Sequence, residues 1–228
     1  MSAAVDEAML LARSEGEVPD TLHLYRRTAP TISLGHFEKV EGCVDIEAVE
    51  RHGVTLVRRL SGGSAIYTDP EQIIYTVAVG RRSVPESPQE TFRLLCGGVV
   101  EALRIMGIEA EFKPVNDVLV RGRKISGSAQ VRRYGAVVQH GTLLVCTDYR
   151  RMFEVLRAGK RSPGDMTSLA EELSWVPPID EIWRAMADGF STALGVRFAR
   201  GQLSETERRR AEELVLTRYG SEEHTRLY

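Results

Sequence analysis

Three short segments of this chain combine residue types that handle anions and carboxyl groups. The segment at 115–130, VNDVLVRGRKISGSAQ, sets Lys124 between Gly122 and Gly127. An ammonium held by a short, well-defined segment neutralises a carboxylate and a phosphate together, which lets two anions meet and react. Asn116 and Asp117 precede it, offering an amide and a carboxylate to a nucleotide or to Mg²⁺. The same residues also read as an exposed turn lysine with a turn-capping aspartate.

The segment at 58–69, RRLSGGSAIYTD, carries Gly62 and Gly63, where a backbone free of Cβ atoms can approach a ligand closely and turn its N–H groups toward it. Arg58 and Arg59 on the incoming side add fixed positive charge near any phosphate. The alternative is a hairpin turn whose glycines only supply positive φ. The third segment, QHGTLL at 139–144, puts His140 beside Gly141 at the start of an apolar strand, either at a cleft mouth or as a hydrogen-bonded structural residue.

Cys43, Cys96 and Cys146 are odd in number, widely spaced and in no CxxC pair, which argues against a disulfide framework and a thiolate metal site. No histidine adjoins any of them in sequence, so all three read as structural rather than nucleophilic.

These residues need elements to position them. Apolar spacing predicts an opening helix over 3–14, with Asp6 and Glu7 in its first turns where the helix dipole favours acids. Strands are expected at 21–26, 31–34, 54–59 and 73–79, the last two joined by the glycine segment as a strand-turn-strand unit. Strands at 111–120 and 136–145 flank a second polar turn spanning 121–134. Helices are expected at 46–51, 88–106, 149–158, 179–194 and 204–219, the last opened by the capping-box pair Ser204 and Glu207. Hairpins mixed with separated helices favour an α+β fold, with a mixed, largely antiparallel sheet, over alternating βαβ units.

With 228 residues, 43% hydrophobic and 27% charged, the chain suits one catalytic domain spanning 1–228. A net charge of -2 makes nucleic acid an unexpected partner. The acidic N-terminus and the lack of a long apolar run predict a cytoplasmic protein with no membrane partner.

Together with AVDEAML near the start and TISLGHFE at 31–38, and in this order, the segments resemble the lipoate-protein ligase A group of the biotin/lipoate ligase and lipoyl-transferase superfamily. The resemblance implies a catalytic domain like a class II synthetase core, in which the glycine loop cradles the phosphate and acyl carboxylate of an acyl-adenylate. It implies Lys124 as the catalytic contact to the activated carboxyl. From the first loop it implies ligand contacts at Arg59, Ser61, Gly62, Gly63, Ser64 and Asp69. The second segment would contribute Asn116, Asp117, Gly127, Ser128 and Ala129, with Mg²⁺ at Asp117, and the third His140 and Gly141.

Two departures stand out: the family loop is commonly RRxSGGGxVxHD, and here Ser64 replaces the third glycine and Thr68 the histidine. Ser64 adds a Cβ and a hydroxyl that narrow the loop or change the preferred acyl group. The family usually has a strand before its NMAxDEA-like helix, whereas here Met1 begins almost inside that helix. The tail LSETERRRAEELVLTRYGSEE resembles the end of the catalytic domain, so no C-terminal accessory domain is expected and a separate accessory subunit is.

The implied activity is ligation: lipoate or octanoate plus ATP gives an acyl-adenylate and pyrophosphate, and a lysine of a lipoyl-domain carrier then takes the acyl group. The implied carriers are 2-oxoacid dehydrogenase E2 subunits and the glycine cleavage H protein. An ATP-independent octanoyl or lipoyl transferase of the same fold is the alternative. Relatives of that type need a cysteine, and none lies between Gly107 and Lys124. A non-catalytic relative that binds an acyl-adenylate ranks third. The GRGRxG-type loop of biotin ligases is absent, so biotin is not the expected substrate.

Overall fold

The computed structural model describes residues 1–157 and 162–228. Nine strands form two sheets among these residues: β1 (Thr21–Tyr25), β2 (Thr31–Leu34), β3 (Thr55–Arg58), β4 (Ile66–Thr68), β5 (Gln72–Gly80), β6 (Glu111–Lys113), β7 (Asp117–Val120), β8 (Arg123–Arg133) and β9 (Ala136–Leu144). The large sheet runs β1-β5-β9-β8-β7-β6 with antiparallel neighbours throughout, and the small sheet runs β3-β2-β4 with β2 and β3 parallel. The α+β architecture read from the sequence is the one observed.

The helices are α1 (Ser2–Ser14), α2 (Val40–Cys43), α3 (Ile46–Arg51), α4 (Pro88–Ile105), α5 (Tyr149–Val155), α6 (Leu169–Leu173), α7 (Ile179–Leu194), α8 (Glu205–Leu214) and α9 (Glu222–Thr225). Residues 88–105 form a helix because Ser87 accepts from the Glu90 N–H, Pro88 opens it, and apolar residues recur on one face. That face packs with α7 on one side of the large sheet, around Tyr75, Leu95, Val99, Leu103, Met186 and Phe190. On the opposite side lie α1 and α8, with Ala4, Ala8, Met9 and Leu10 buried against the sheet. A third cluster joins the small sheet to α3 and α5.

Four expectations are corrected. The strand-turn-strand unit over 54–79 does not exist: β3 and β5 lie in different sheets, and the short β4, not anticipated, intervenes. The register is set by β2, which pairs with both β3 and β4 and so separates them. The expected polar turn at 121–134 is mostly strand β8. Arg121 and Gly122 turn before it and Tyr134 turns after it with Gly135, each pair with positive φ (49° and 78°, 54° and 78°), the geometry that reverses a twisted hairpin in two residues. In the same region the expected strand at 111–120 is two strands, β6 and β7. The helix expected over 149–158 ends at Val155, and Ala158 lies outside the described residues.

Asp6 and Glu7 are also corrected: they lie beyond the first turn of α1, where the dipole would favour them, and are buried, at 6% and 8% exposure. Glu7 accepts from Arg218 (2.7 Å) and from the Tyr219 hydroxyl (2.5 Å), tying α1 to the C-terminal region. The capping box is present as expected, with Ser204 and Glu207 each satisfying the other's backbone N–H. No helix among the described residues is long and apolar enough to cross a membrane.

Candidate active site

The floor of the site is one face of the large sheet. Ile74, Thr142, Gly127 and Asp117 are paired across β5, β9, β8 and β7, and beside them runs a second row of Thr76, His140 and Ala129. Side chains two apart along a strand share a face, so both rows project to the same side. Between Val118 and Leu119 the β7–β8 register shifts, bringing Lys124 opposite Leu119. Lys124 then reaches forward along its own strand toward Gly127, which lies opposite Asp117: its Nζ lies 2.6 Å from Asp117 Oδ1. A Cβ built on Gly127 would stand 2.5 Å from that nitrogen, so the missing side chain of Gly127 is the space the ammonium occupies. The Lys124 carbonyl accepts from Thr167 N (2.9 Å), and a backbone bridge joins Lys124 to Met166.

The wall facing this floor is the loop after β3. Buried Arg59 donates from Nη1 to Ser33 O (2.6 Å), from Nη2 to Gly62 O (2.7 Å) and Ser64 O (2.9 Å), and from Nε to Ser61 Oγ (3.0 Å). Burial pushes its guanidinium down to about 10, against a pull upward from Glu38. In a trans peptide the C=O and the following N–H point opposite ways, so capturing these two carbonyls directs the N–H groups of Gly63 and Ala65 away from Arg59. Gly63 has φ 88°, and a Cβ on Gly35 would stand 1.8 Å from Gly63 O. The loop fits only because the residue that follows β2 is a glycine.

A buried chain joins this loop to the sheet and to α1. Ser61 Oγ lies 2.7 Å from His140 Nε2, and His140 Nδ1 lies 2.7 Å from Asp6 Oδ2. The Thr76 hydroxyl donates to Asp6 Oδ1 (2.8 Å). Asp6 was not expected at the site. Its signal was present in AVDEAML, but helical periodicity could not say which face carried a carboxylate across to a residue 134 positions away.

Loop, sheet floor and α1 enclose a cavity of about 680 Å³. Lys124, Asp117, Gly127, His140, Gly63 and Ser64 line its polar part, and Leu144, Met152, Phe153 and Met166 its apolar part. The lysine and glycine segments, far apart in sequence, thus converge on one hollow. Residues 1–191 match the family model described as the lipoyl protein ligase A/B catalytic domain. This chain belongs to that family.

Among similar proteins, octanoyltransferase LipM of Kyrpidia tusciae is 34% identical over 245 residues, covering 93% of this chain and 89% of the relative. A crystal structure of lipoate-protein ligase A bound with ATP superposes with a TM-score of 0.90 at 28% identity, covering all of this chain and 94% of that one. A bi-partite lipoate protein ligase from Thermoplasma acidophilum, studied with its E2 lipoyl domain, gives a TM-score of 0.85 at 28% identity, covering 100% and 91%. The chain is therefore an enzyme of the lipoate and octanoate ligase-transferase family.

Within this lipoyl ligase A/B domain the expected site residues separate into groups. Ser128 and Ala129 line the cavity with Gly127, and Asn116 lines it while its side-chain amide donates to Ser128 O. Gly141 belongs to the floor through its backbone, and Tyr75 fills the space a side chain there would need. Ser61, Gly62 and Asp69 are not among the lining residues. Ser61 acts behind the wall, between Arg59 and His140. Asp69 accepts from Glu71 N (2.9 Å) and caps the turn into β5, and burial raises its carboxyl above the usual range. Thr68, in place of the family's histidine, donates to Thr31 O (3.0 Å) and accepts from Arg27 Nε (3.2 Å).

For Mg²⁺, Asp117 is paired with Lys124, and no group of three His, Cys, Asp or Glu able to hold a metal occurs among the described residues. The residues present do not make an all-protein cage. They fit only a Mg²⁺ carried by nucleotide phosphates, which needs one or two carboxylates from the protein. Among the lining residues the thiol is that of Cys43, which donates to Lys39 O (3.1 Å). Burial, with Glu38 adding to it, raises that thiol to about 11. Cys96 is buried in the core, also raised to about 11 by burial, and Cys146 is exposed away from the cavity.

Proposed function

We propose that this chain transfers a medium-chain acyl group, octanoyl or lipoyl, to a lysine of a lipoyl carrier domain. The observation that carries the reading is the convergence of Lys124, the glycine-loop backbone and an apolar wall in one cavity. Met152, Met166 and Lys124 line the same cavity, so a chain lying against the two methionines shares that space with the ammonium over Gly127. At about 0.8 kcal/mol per buried CH₂, a chain of octanoyl length draws roughly 5 kcal/mol from that wall.

The names of the curated relatives favour an acyl thioester donor used without ATP over the ligation that the motifs led us to expect. In this reading the carrier lysine attacks as a neutral amine. A C–N bond forms, negative charge gathers on the acyl oxygen, and Lys124 with the loop N–H groups offsets it. The C–S bond then breaks, and the departing thiolate takes up the proton that the amine sheds. Burial raises the Cys43 thiol, the one among the lining residues, well above the usual range, which favours direct attack over an acyl-cysteine.

ATP-dependent ligation is the second reading, and the TM-score of 0.90 to an ATP-bound ligase favours it. There the loop N–H groups and Lys124 would hold the phosphate and carboxyl of an acyl-adenylate. One experiment tests both readings: the chain is mixed with a lipoyl domain and either an octanoyl-carrier thioester alone or octanoate with Mg-ATP, and the lipoyl domain is weighed by mass spectrometry. Acylation from the thioester without ATP supports transfer. Acylation only with ATP, accompanied by pyrophosphate, moves the assignment to ligation. No acylation in either arm, or acylation indifferent to Lys124→Ala, rejects the site assignment.

A further inference from the structure

The chain from Arg59 to Asp6 has a direction that its end groups impose. Arginine only donates hydrogen bonds and an ionised aspartate only accepts them. Arg59 Nε–H therefore donates to Ser61 Oγ, and Asp6 Oδ2 receives the proton on His140 Nδ1. That leaves Ser61 O–H donating to a bare His140 Nε2. Every donor and acceptor is satisfied only when His140 is neutral and protonated on Nδ1. Asp6, Ser61, Arg59 and His140 are buried, at 6%, 1%, 4% and 9% exposure. Burying a carboxylate and a guanidinium is costly where apolar residues would also hold α1 to the sheet.

What the polar chain adds is orientation. Its last member, Arg59, grips the Gly62 and Ser64 carbonyls and thereby sets where the loop N–H groups point. We propose that Asp6 and His140 are positioning residues for acyl transfer, locking the 60–65 loop through Ser61 so that its N–H groups and Lys124 meet at one oxygen. His140 acts through the loop, because both of its ring nitrogens are engaged by Asp6 and Ser61 rather than by a ligand. This inference rests on the acyl-transfer reading above for its kinetic consequence, but not for the hydrogen-bond direction itself.

The deciding variant is Asp6→Asn, nearly the same size. With its oxygen kept on the donating Thr76 hydroxyl, the amide NH₂ donates to His140 Nδ1, which moves the proton to Nε2 and sets that nitrogen and Arg59 both donating to Ser61. Three readouts are taken on the full chain: ¹⁵N NMR of His140, amide hydrogen exchange of residues 62–65, and acyl-transfer kinetics with a lipoyl domain. Wild type should show the Nδ1-protonated ring. Asp6→Asn should show the other tautomer, loop exchange ~10-fold faster, and kcat lower by ~30-fold with KM for the acyl donor within ~3-fold, as expected for a misaligned rather than a lost contact. Ser61→Ala should repeat the exchange and kinetic losses, and Ser61→Thr, which keeps the hydroxyl, should recover most of the rate. A wild-type ring protonated on Nε2, or Asp6→Asn and Ser61→Ala enzymes with unchanged kcat and loop exchange, overturns the proposal. If wild type transfers no acyl group, the functional reading fails, while tautomer and exchange still decide the chain.

Discussion

Gly127→Ala isolates the position of one ammonium from the rest of the site. The new Cβ would stand 2.5 Å from Lys124 Nζ, 2.6 Å from Cε and 3.3 Å from Asp117 Oδ1. Carbon and nitrogen come to rest near 3.5 Å, so the ammonium must retreat by about 1 Å. The backbone does not resist, because Gly127 lies in β8 and is not among the glycines with positive φ. The displaced atoms are the end of a flexible side chain, and alanine in place of glycine offsets part of any strain by about 0.5–1 kcal/mol of backbone entropy. The expected result is a melting temperature close to wild type with kcat/KM for acyl transfer reduced by ~100-fold, since displacing a charge-stabilising group by an ångström carries losses of that size. That ratio corresponds to about 2.7 kcal/mol of lost transition-state stabilisation. Differential scanning calorimetry and mass-spectrometric transfer kinetics with a lipoyl domain measure the two halves. A Gly127→Ala enzyme with full kcat/KM refutes the claim that the exact seat of Lys124 matters, and a collapsed melting temperature would make Gly127 a folding residue instead.

Three further outcomes follow from the geometry. Arg59→Lys keeps a charge but loses the fork that binds the Gly62 and Ser64 carbonyls, so urea unfolding should show about 2–4 kcal/mol less stability and transfer should fall with it. Arg58, fully buried, donates to the carbonyls of Gly35, His36, Glu38, His224 and Thr225. Arg58→Met should therefore free the last residues to limited proteolysis and lower stability by about 3 kcal/mol. With its thiol raised to about 11, Cys43 is only ~0.1% thiolate at pH 8, and its alkylation rate should climb ~10-fold per pH unit up to pH 10. Cys43→Ser should leave kcat unchanged, whereas a trapped octanoyl thioester on Cys43 would contradict direct transfer.

The elements that patterning could reach were those whose burial is one-sided and local. Residues 46–51 and 179–194 are the helices expected, because cap residues and 3.6-residue spacing are written within a single element. The polarity of β8 misled for the opposite reason. Its cavity face is built of Gly127 and Ala129, small and half-polar in sequence, so a strand lying under a ligand cavity reads as a turn.

The sequence by itself determined the family, through the order of its segments, and the chemical types available to the proposed site: an ammonium at 124, a glycine loop after paired arginines, and a histidine before Gly141. Only the tertiary structure decided which of those groups face the cavity. It sent Asp69 to a turn, set Ser61 behind the wall, brought Asp6 in from the first helix and seated Lys124 over Gly127. The physical reason is that side-chain type is carried by each residue alone, whereas facing depends on register. A one-residue shift in a strand reverses every side chain in it, and pairing partners far along the chain fix that register.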